Sequence, residues 1–87
     1  GSITVKNLDE NLRMSYNKTD NLEVHVKGSK EQLDTLNIEQ IAIIDLAEYT
    51  KAGTYKVPVQ FKLPDGCTLT EDVEVELVLE EKDSGGN

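Results

Sequence analysis

Two stripes of alternating side chains constrain this chain more than anything else in it. Tyr55, Val57, Val59, Phe61 and Leu63 alternate with Lys56, Pro58, Gln60 and Lys62. Val73, Val75, Leu77 and Leu79 then alternate with a face carrying Glu74, Glu76 and Glu80. A period of two is the pleat repeat of a strand covered on one side by a core. Between the stripes lies Pro64-Asp65-Gly66. There proline presets φ, aspartate tolerates turn geometry and glycine supplies positive φ. The pattern predicts two antiparallel strands with lysines on one outer face and glutamates on the next. Each such cross-strand charge pair contributes about 0.2–1 kcal/mol. Pro58 has no N–H to give to a ladder, so its nitrogen belongs on an open edge or at a bulge.

The rest of the chain supports a β-rich fold. Ile3-Thr4-Val5-Lys6 alternates and is rich in β-branched residues. Leu12, Met14 and Tyr16 alternate more weakly, and Leu22, Val24 and Val26 alternate with Glu23, His25 and Lys27 before Gly28 ends the run. Ile41-Ala42-Ile43-Ile44-Asp45-Leu46 is apolar on both faces, which predicts a central strand covered on both sides. One short helix is expected over Ser29–Leu36. Ser29 stands as N-cap with Gln32 three residues on, the spacing of a capping box. Leu33 and Leu36 share a face, and Glu31 and Asp34 lie early in the helix, toward the positive end of its dipole.

A chain of 87 residues suits one domain, with expected bounds at residues 3–80. Gly1-Ser2 reads as an expression scar, and residues 81–87 as a disordered tail or the start of a linker. The net charge is -8, from 17 acidic and 9 basic residues. Such a surface repels phosphate backbones and anionic lipid, which disfavours nucleic-acid binding and membrane docking. No apolar run reaches the length of a membrane helix, so this fragment is not expected to insert directly. Cys67 is the single cysteine, which excludes an internal disulfide.

Each candidate for reaction chemistry has a stronger structural explanation. His25, the one histidine, falls on the polar face of a strand, whereas a general base needs a positioned partner and a substrate site. Ser15-Tyr16-Asn17-Lys18 matches S-x-x-K, but in a strand and loop rather than at a helix start, and without the companion motifs. Asn17-Lys18-Thr19 is a formal glycosylation sequon, of consequence only in a chain secreted through an endoplasmic reticulum. Cys67 lies on apolar parity beside Asp65, Glu71 and Asp72, and reads as a small buried hydrophobe. Glu71, Asp72, Glu74 and Glu76 alternate outward, where a calcium site would need converging loop oxygens. No catalytic, cofactor-binding or metal residues are therefore assigned, and the chain is expected not to be an enzyme. An open sheet edge remains as a feature that could engage another strand.

Three stretches resemble the YbbR family. Leu22-Glu23-Val24-His25-Val26-Lys27-Gly28-Ser29 is similar to its strand leading into a short helix. Ile43-Ile44-Asp45-Leu46 is similar to its "x-v-D-l" strand. Gly53 to Val59, followed by Leu63-Pro64-Asp65-Gly66, is similar to its "G-t-y-x-v-p-v" strand and turn. The order and spacing of the three, with Val73 to Leu79 after them, carry the resemblance over nearly the whole chain. The family often has a proline before its last strand, where this chain has Glu71-Asp72. The resemblance implies a small mixed or antiparallel sheet fold with crossed hairpins, similar to the C-terminal domain of ribosomal protein L25. It implies tandem sibling domains anchored by a membrane helix and facing out of the bacterial cytoplasm. It also implies a non-catalytic interaction module whose protein partner is a membrane diadenylate cyclase, the maker of cyclic di-AMP. An alternative is a β domain that binds a small ligand or cell-wall glycan, which would need exposed aromatic rings for stacking. The chain offers Phe61, Tyr16, Tyr49 and Tyr55, with Tyr16 and Tyr55 on core parity.

Overall fold

The computed structural model describes residues 3–17 and 22–82. The elements run β1 (Thr4–Lys6), β2 (Leu12–Tyr16), β3 (Val26–Lys27), α1 (Lys30–Thr35), α2 (Ile38–Ile41), β4 (Ala42–Asp45), β5 (Gly53–Pro58), β6 (Gln60–Phe61), β7 (Thr68–Leu69) and β8 (Glu74–Glu81). They form three small sheets, ordered β1-β4-β6, β2-β8-β5 and β3-β7. The β1–β4 pair is parallel and every other pair antiparallel. The molecule extends 56 × 21 × 19 Å with a radius of gyration of 15.4 Å. A compact chain of this length would have about 12 Å. The β-rich class expected from the sequence is the class observed.

The alternating stripes pack as their period requires. β5 and β8 pair in the register Tyr55↔Leu77, Val57↔Val75 and Pro58↔Glu74. Val57, Val73, Val75, Leu77 and Leu79 are buried. With Leu12, Ala42, Ile44, Leu46 and Val59 they form one continuous core, against which Met14, Val24, Tyr55 and Phe61 pack in part. β4 is central in its sheet, and Ala42, Ile43 and Ile44 are all buried. A strand covered on both faces needs no polar alternation, hence the unbroken apolar run.

The Pro64–Gly66 turn differs from the simple hairpin expected. Cys67 N–H donates to Pro64 O at 3.1 Å, and Gly66 has φ 91°. These are the marks of a tight turn with glycine at its third position. The β5–β8 ladder reaches Val59, whose N–H meets Val73 O at 2.8 Å. There the two segments part. β6 crosses to β4, while β7 pairs with β3. Lys56 does face Glu76 in register, but the Glu76 carboxylate takes its hydrogen bond from Asn17 Nδ2.

Pro58 sits where its chemistry puts it. The bond from Val59 N–H to Val73 fixes the alternation along β5, and β5 is an edge strand. Antiparallel residues point their backbone groups alternately toward and away from a neighbour. Thr54, Lys56 and Pro58 therefore face outward, and the missing N–H is missing on the open side.

Three local expectations change. The strand expected over Leu22–Lys27 shrinks to β3, and Leu22 is exposed. Ile41, expected in a strand, ends a second short helix, α2, which its mixed Ile-Glu-Gln-Ile sequence conceals at four residues. At the other end β8 runs through Glu81, and Lys82 N–H donates to Asn11 O at 2.9 Å, so the ladder passes the boundary expected at residue 80. Gly1-Ser2, Lys18, Thr19 and residues 83–87 lie outside the described residues.

Candidate functional site

The chemistry-bearing residues are dispersed. His25 is exposed, and its Nε2 lies 3.4 Å from Glu23 Oε1, itself at the surface. Its carbonyl receives the N–H and Oγ1 of Thr70 at 3.0 and 3.3 Å, so its backbone ties β3 to the chain after β7. Ser15 stands in β2 opposite Val78. Glu71, Asp72 and Glu74 are exposed, and among the described residues no three acidic, histidine or cysteine side chains are grouped to hold a metal.

Cys67 is buried as a small apolar residue. Its thiol donates to Gln32 Oε1 at 3.7 Å. The surroundings explain the neighbouring sequence. A Cβ on Gly28 would lie 2.8 Å from Cys67 Sγ. Ser29 caps α1 as expected, accepting from Gln32 N–H at 3.2 Å. The reciprocal half of the capping box differs: Gln32 Nε2 donates to Asp65 O, and Ser29 Oγ donates to Gln32 Oε1 at 3.2 Å. Gln32 thus ties α1 to the Pro64–Gly66 turn as well as to its own N-cap.

Asp45 shows a similar structural use. Its Oδ1 accepts from Asn7 Nδ2 at 3.0 Å and from Ala47 N–H at 2.9 Å. The Asn7 amide, then the Ala47 N–H, hold its carboxyl below the usual aspartate range. Asn7 has φ 59°, a left-handed conformation that asparagine tolerates. The pair joins the end of β1 to the end of β4.

The feature with an open valence is the β2 edge. Asn17 N–H donates to Glu76 O at 3.1 Å and Lys82 N–H to Asn11 O at 2.9 Å. Both contacts fix the alternation: odd residues of β2 bond to β8, and Leu12, Met14 and Tyr16 turn their backbone groups outward. Leu12 N–H is taken by Asp9 O at 3.0 Å. Those of Met14 and Tyr16 meet no backbone partner among the described residues. Beside Met14 an open depression of about 440 Å³ is lined by Val5, Leu8, Leu12 and Met14 together with Asp9, Glu10, Arg13 and Lys82.

Tyr16 was expected on core parity, and it keeps that parity opposite Leu77 yet is 40% exposed. At a sheet edge the core face has no further strand to cover it. Partial burial still pushes its phenol pKa up. Tyr49 and Tyr55 instead pack on each other, centroids 5.0 Å apart and 66° between planes. Sequence reasoning missed the depression and the exposure of Tyr16. The weak alternation of Leu12, Met14 and Tyr16 was the available signal.

A family model described as YbbR-like protein matches residues 2–79. The chain belongs to the YbbR-like family. YbbR-like domains are generally non-catalytic. No curated protein and no solved structure matches the chain, so the expected likeness to ribosomal protein L25 finds no support there. No helix among the described residues is long and apolar enough to cross a membrane.

Proposed function

We propose that this chain is a non-catalytic interaction module of a membrane-anchored bacterial protein, placed on the outer side of the cytoplasmic membrane. Its partner is a membrane diadenylate cyclase, whose cyclic di-AMP output it regulates, alongside sibling domains in the same chain. The observation that carries this reading is the YbbR-like match over residues 2–79. Two physical features support it. An elongated body 56 Å long offers a large lateral surface for contacts. A net charge of -8 favours basic protein surfaces over nucleic acid.

The test is made in the source bacterium with the full-length protein. Deleting this domain should change cellular cyclic di-AMP, and the intact protein should co-purify with the cyclase. Unchanged cyclic di-AMP on deleting the whole gene would remove the regulatory role. A reporter fusion active only in the cytoplasm would remove the location.

A further inference from the structure

We propose that the β2 edge is a homodimer interface, at which two copies join their β2-β8-β5 sheets into one six-stranded antiparallel sheet. The proposal goes beyond the regulatory reading and does not depend on it.

The two free edges of this sheet are treated differently. On β5, the outward positions carry Pro58, which cannot donate, and Lys56, a charge that discourages pairing. Natural edge strands are commonly blunted in this way. β2 has neither proline nor lysine along Leu12–Tyr16, and among the described residues the outward backbone groups of Met14 and Tyr16 meet no backbone partner.

One antiparallel register uses all of those groups. With the two-fold axis at Ser15, Met14 of each copy pairs with Tyr16 of the other, which closes four backbone hydrogen bonds. An axis at Met14 would call on Leu12 N–H, already bound to Asp9. In the Ser15 register the core faces also complete each other. The exposed Tyr16 ring of one copy lies against Met14 of the second copy, beside the apolar depression formed with Val5, Leu8 and Leu12. Methionine sulfur and tyrosine rings make favourable contacts, and an aromatic anchor in a pocket is the usual centre of an interface.

The outer face is complementary in charge. The lateral rows within one copy are Arg13↔Glu80 and Glu76↔Lys56, the latter extended by Asn17 beside Glu76. In the Ser15 register Arg13 lies opposite Asn17 of the second copy. The joined row then reads Glu80, Arg13, Asn17, Glu76, Lys56, with the arginine set between the Glu80 carboxylate and the Asn17 amide and no like charges adjacent. The middle row, Thr54, Val78 and Ser15, brings Ser15 against Ser15 with no charge. A parallel pairing would align Arg13 with Arg13. Two copies of charge -8 repel over distance, but Arg13 is the one charged residue of β2, and salt screens the remainder.

The test uses sedimentation velocity on the intact chain up to millimolar concentration, with and without added salt. The dimer fraction should rise with concentration and with salt. Tyr16→Lys, at an exposed position, should keep the wild-type circular dichroism spectrum and weaken the dimer by about tenfold or more, the scale of one lost anchor. Ser15→Cys gives an independent readout. At a non-hydrogen-bonded pair the two Cα atoms lie about 4.5 Å apart, within disulfide reach. With oxidised glutathione as oxidant, Ser15→Cys should cross-link far faster than Thr54→Cys on the opposite edge. A chain that stays monomeric at millimolar concentration, or Ser15→Cys cross-linking no faster than Thr54→Cys, overturns the proposal. Binding of a foreign strand peptide to a monomeric wild type overturns it equally.

Discussion

Gly28 and Cys67 make a pair whose energies should change sign with context. A Cβ added at Gly28 would stand 2.8 Å from Cys67 Sγ, with Gly66 O at 3.4 Å and Cys67 Cα at 3.5 Å. The last two are tolerable contacts; the sulfur is the obstacle. Overpacking of this kind costs about 1–3 kcal/mol. Against a total stability of roughly 4–13 kcal/mol for a chain of this size, that is a large loss. Removing the sulfur should reverse the effect. In a Cys67→Ala background the new Cβ finds space, and the ordinary gain from replacing glycine by alanine, about 0.4–1 kcal/mol through the unfolded chain, remains. The unfolded-chain gain is common to both backgrounds and cancels, so the coupling energy between the two sites is the relieved steric cost, about 1–3 kcal/mol. Urea denaturation of the four proteins of the cycle, read as midpoints at constant slope, measures it. If Gly28→Ala costs the same with and without the sulfur, the steric reading of Gly28 is wrong.

Leu77→Ala should destabilise by about 2.7–5 kcal/mol, because Leu77 is fully buried in the centre of the core. A change in urea midpoint equivalent to under 1 kcal/mol, on a typical scale of core deletions, would show that the site collapses around the loss. Ser29→Ala should cost about 0.5–2 kcal/mol by removing the cap on Gln32 N–H, measured in the same assay. Asp45→Ala should lower the melting temperature at neutral pH. Since the folded carboxyl titrates below its ordinary value of 3.8, its contribution is complete above that value and fades as pH falls through the lower folded pKa. Wild type and variant should therefore converge in strong acid, and a constant difference across the acid range would refute the role given to the Asn7 and Ala47 bonds.

The parts legible in the sequence were those governed by local period. Val57, Val75 and Leu77 are buried because a strand shows every second residue to one side, and that much needs no knowledge of partners. Pro58 was legible because a missing N–H has few places to go. Partnership was not legible. Nothing local tells the segment after Val59 to leave Val73 for β4, or the segment before Glu74 to join β3. Those choices are made by pairing over long chain separations. Tyr16 fails for the same reason: its parity was read correctly, but its burial depends on whether another strand lies beyond β2. At the candidate site, the exposed place of His25 and the burial of Cys67 follow from their strand parity, whereas the depression beside Met14 depends on elements brought together from afar.

The segments that change sheets carry a consequence for how the molecule opens. Residues 53–61 supply β5 to one sheet and β6 to another, and residues 68–81 supply β7 and β8 in the same way. The β1-β4-β6 and β2-β8-β5 sheets are joined through the continuous 53–61 segment and share one core, so opening of one should disturb the other. Amide hydrogens of Ile44 and Leu77, in different sheets, should then exchange with solvent through the same opening event and with the same free energy. The three sheets should then behave as one cooperative unit, and clearly different exchange free energies at Ile44 and Leu77 would refute it.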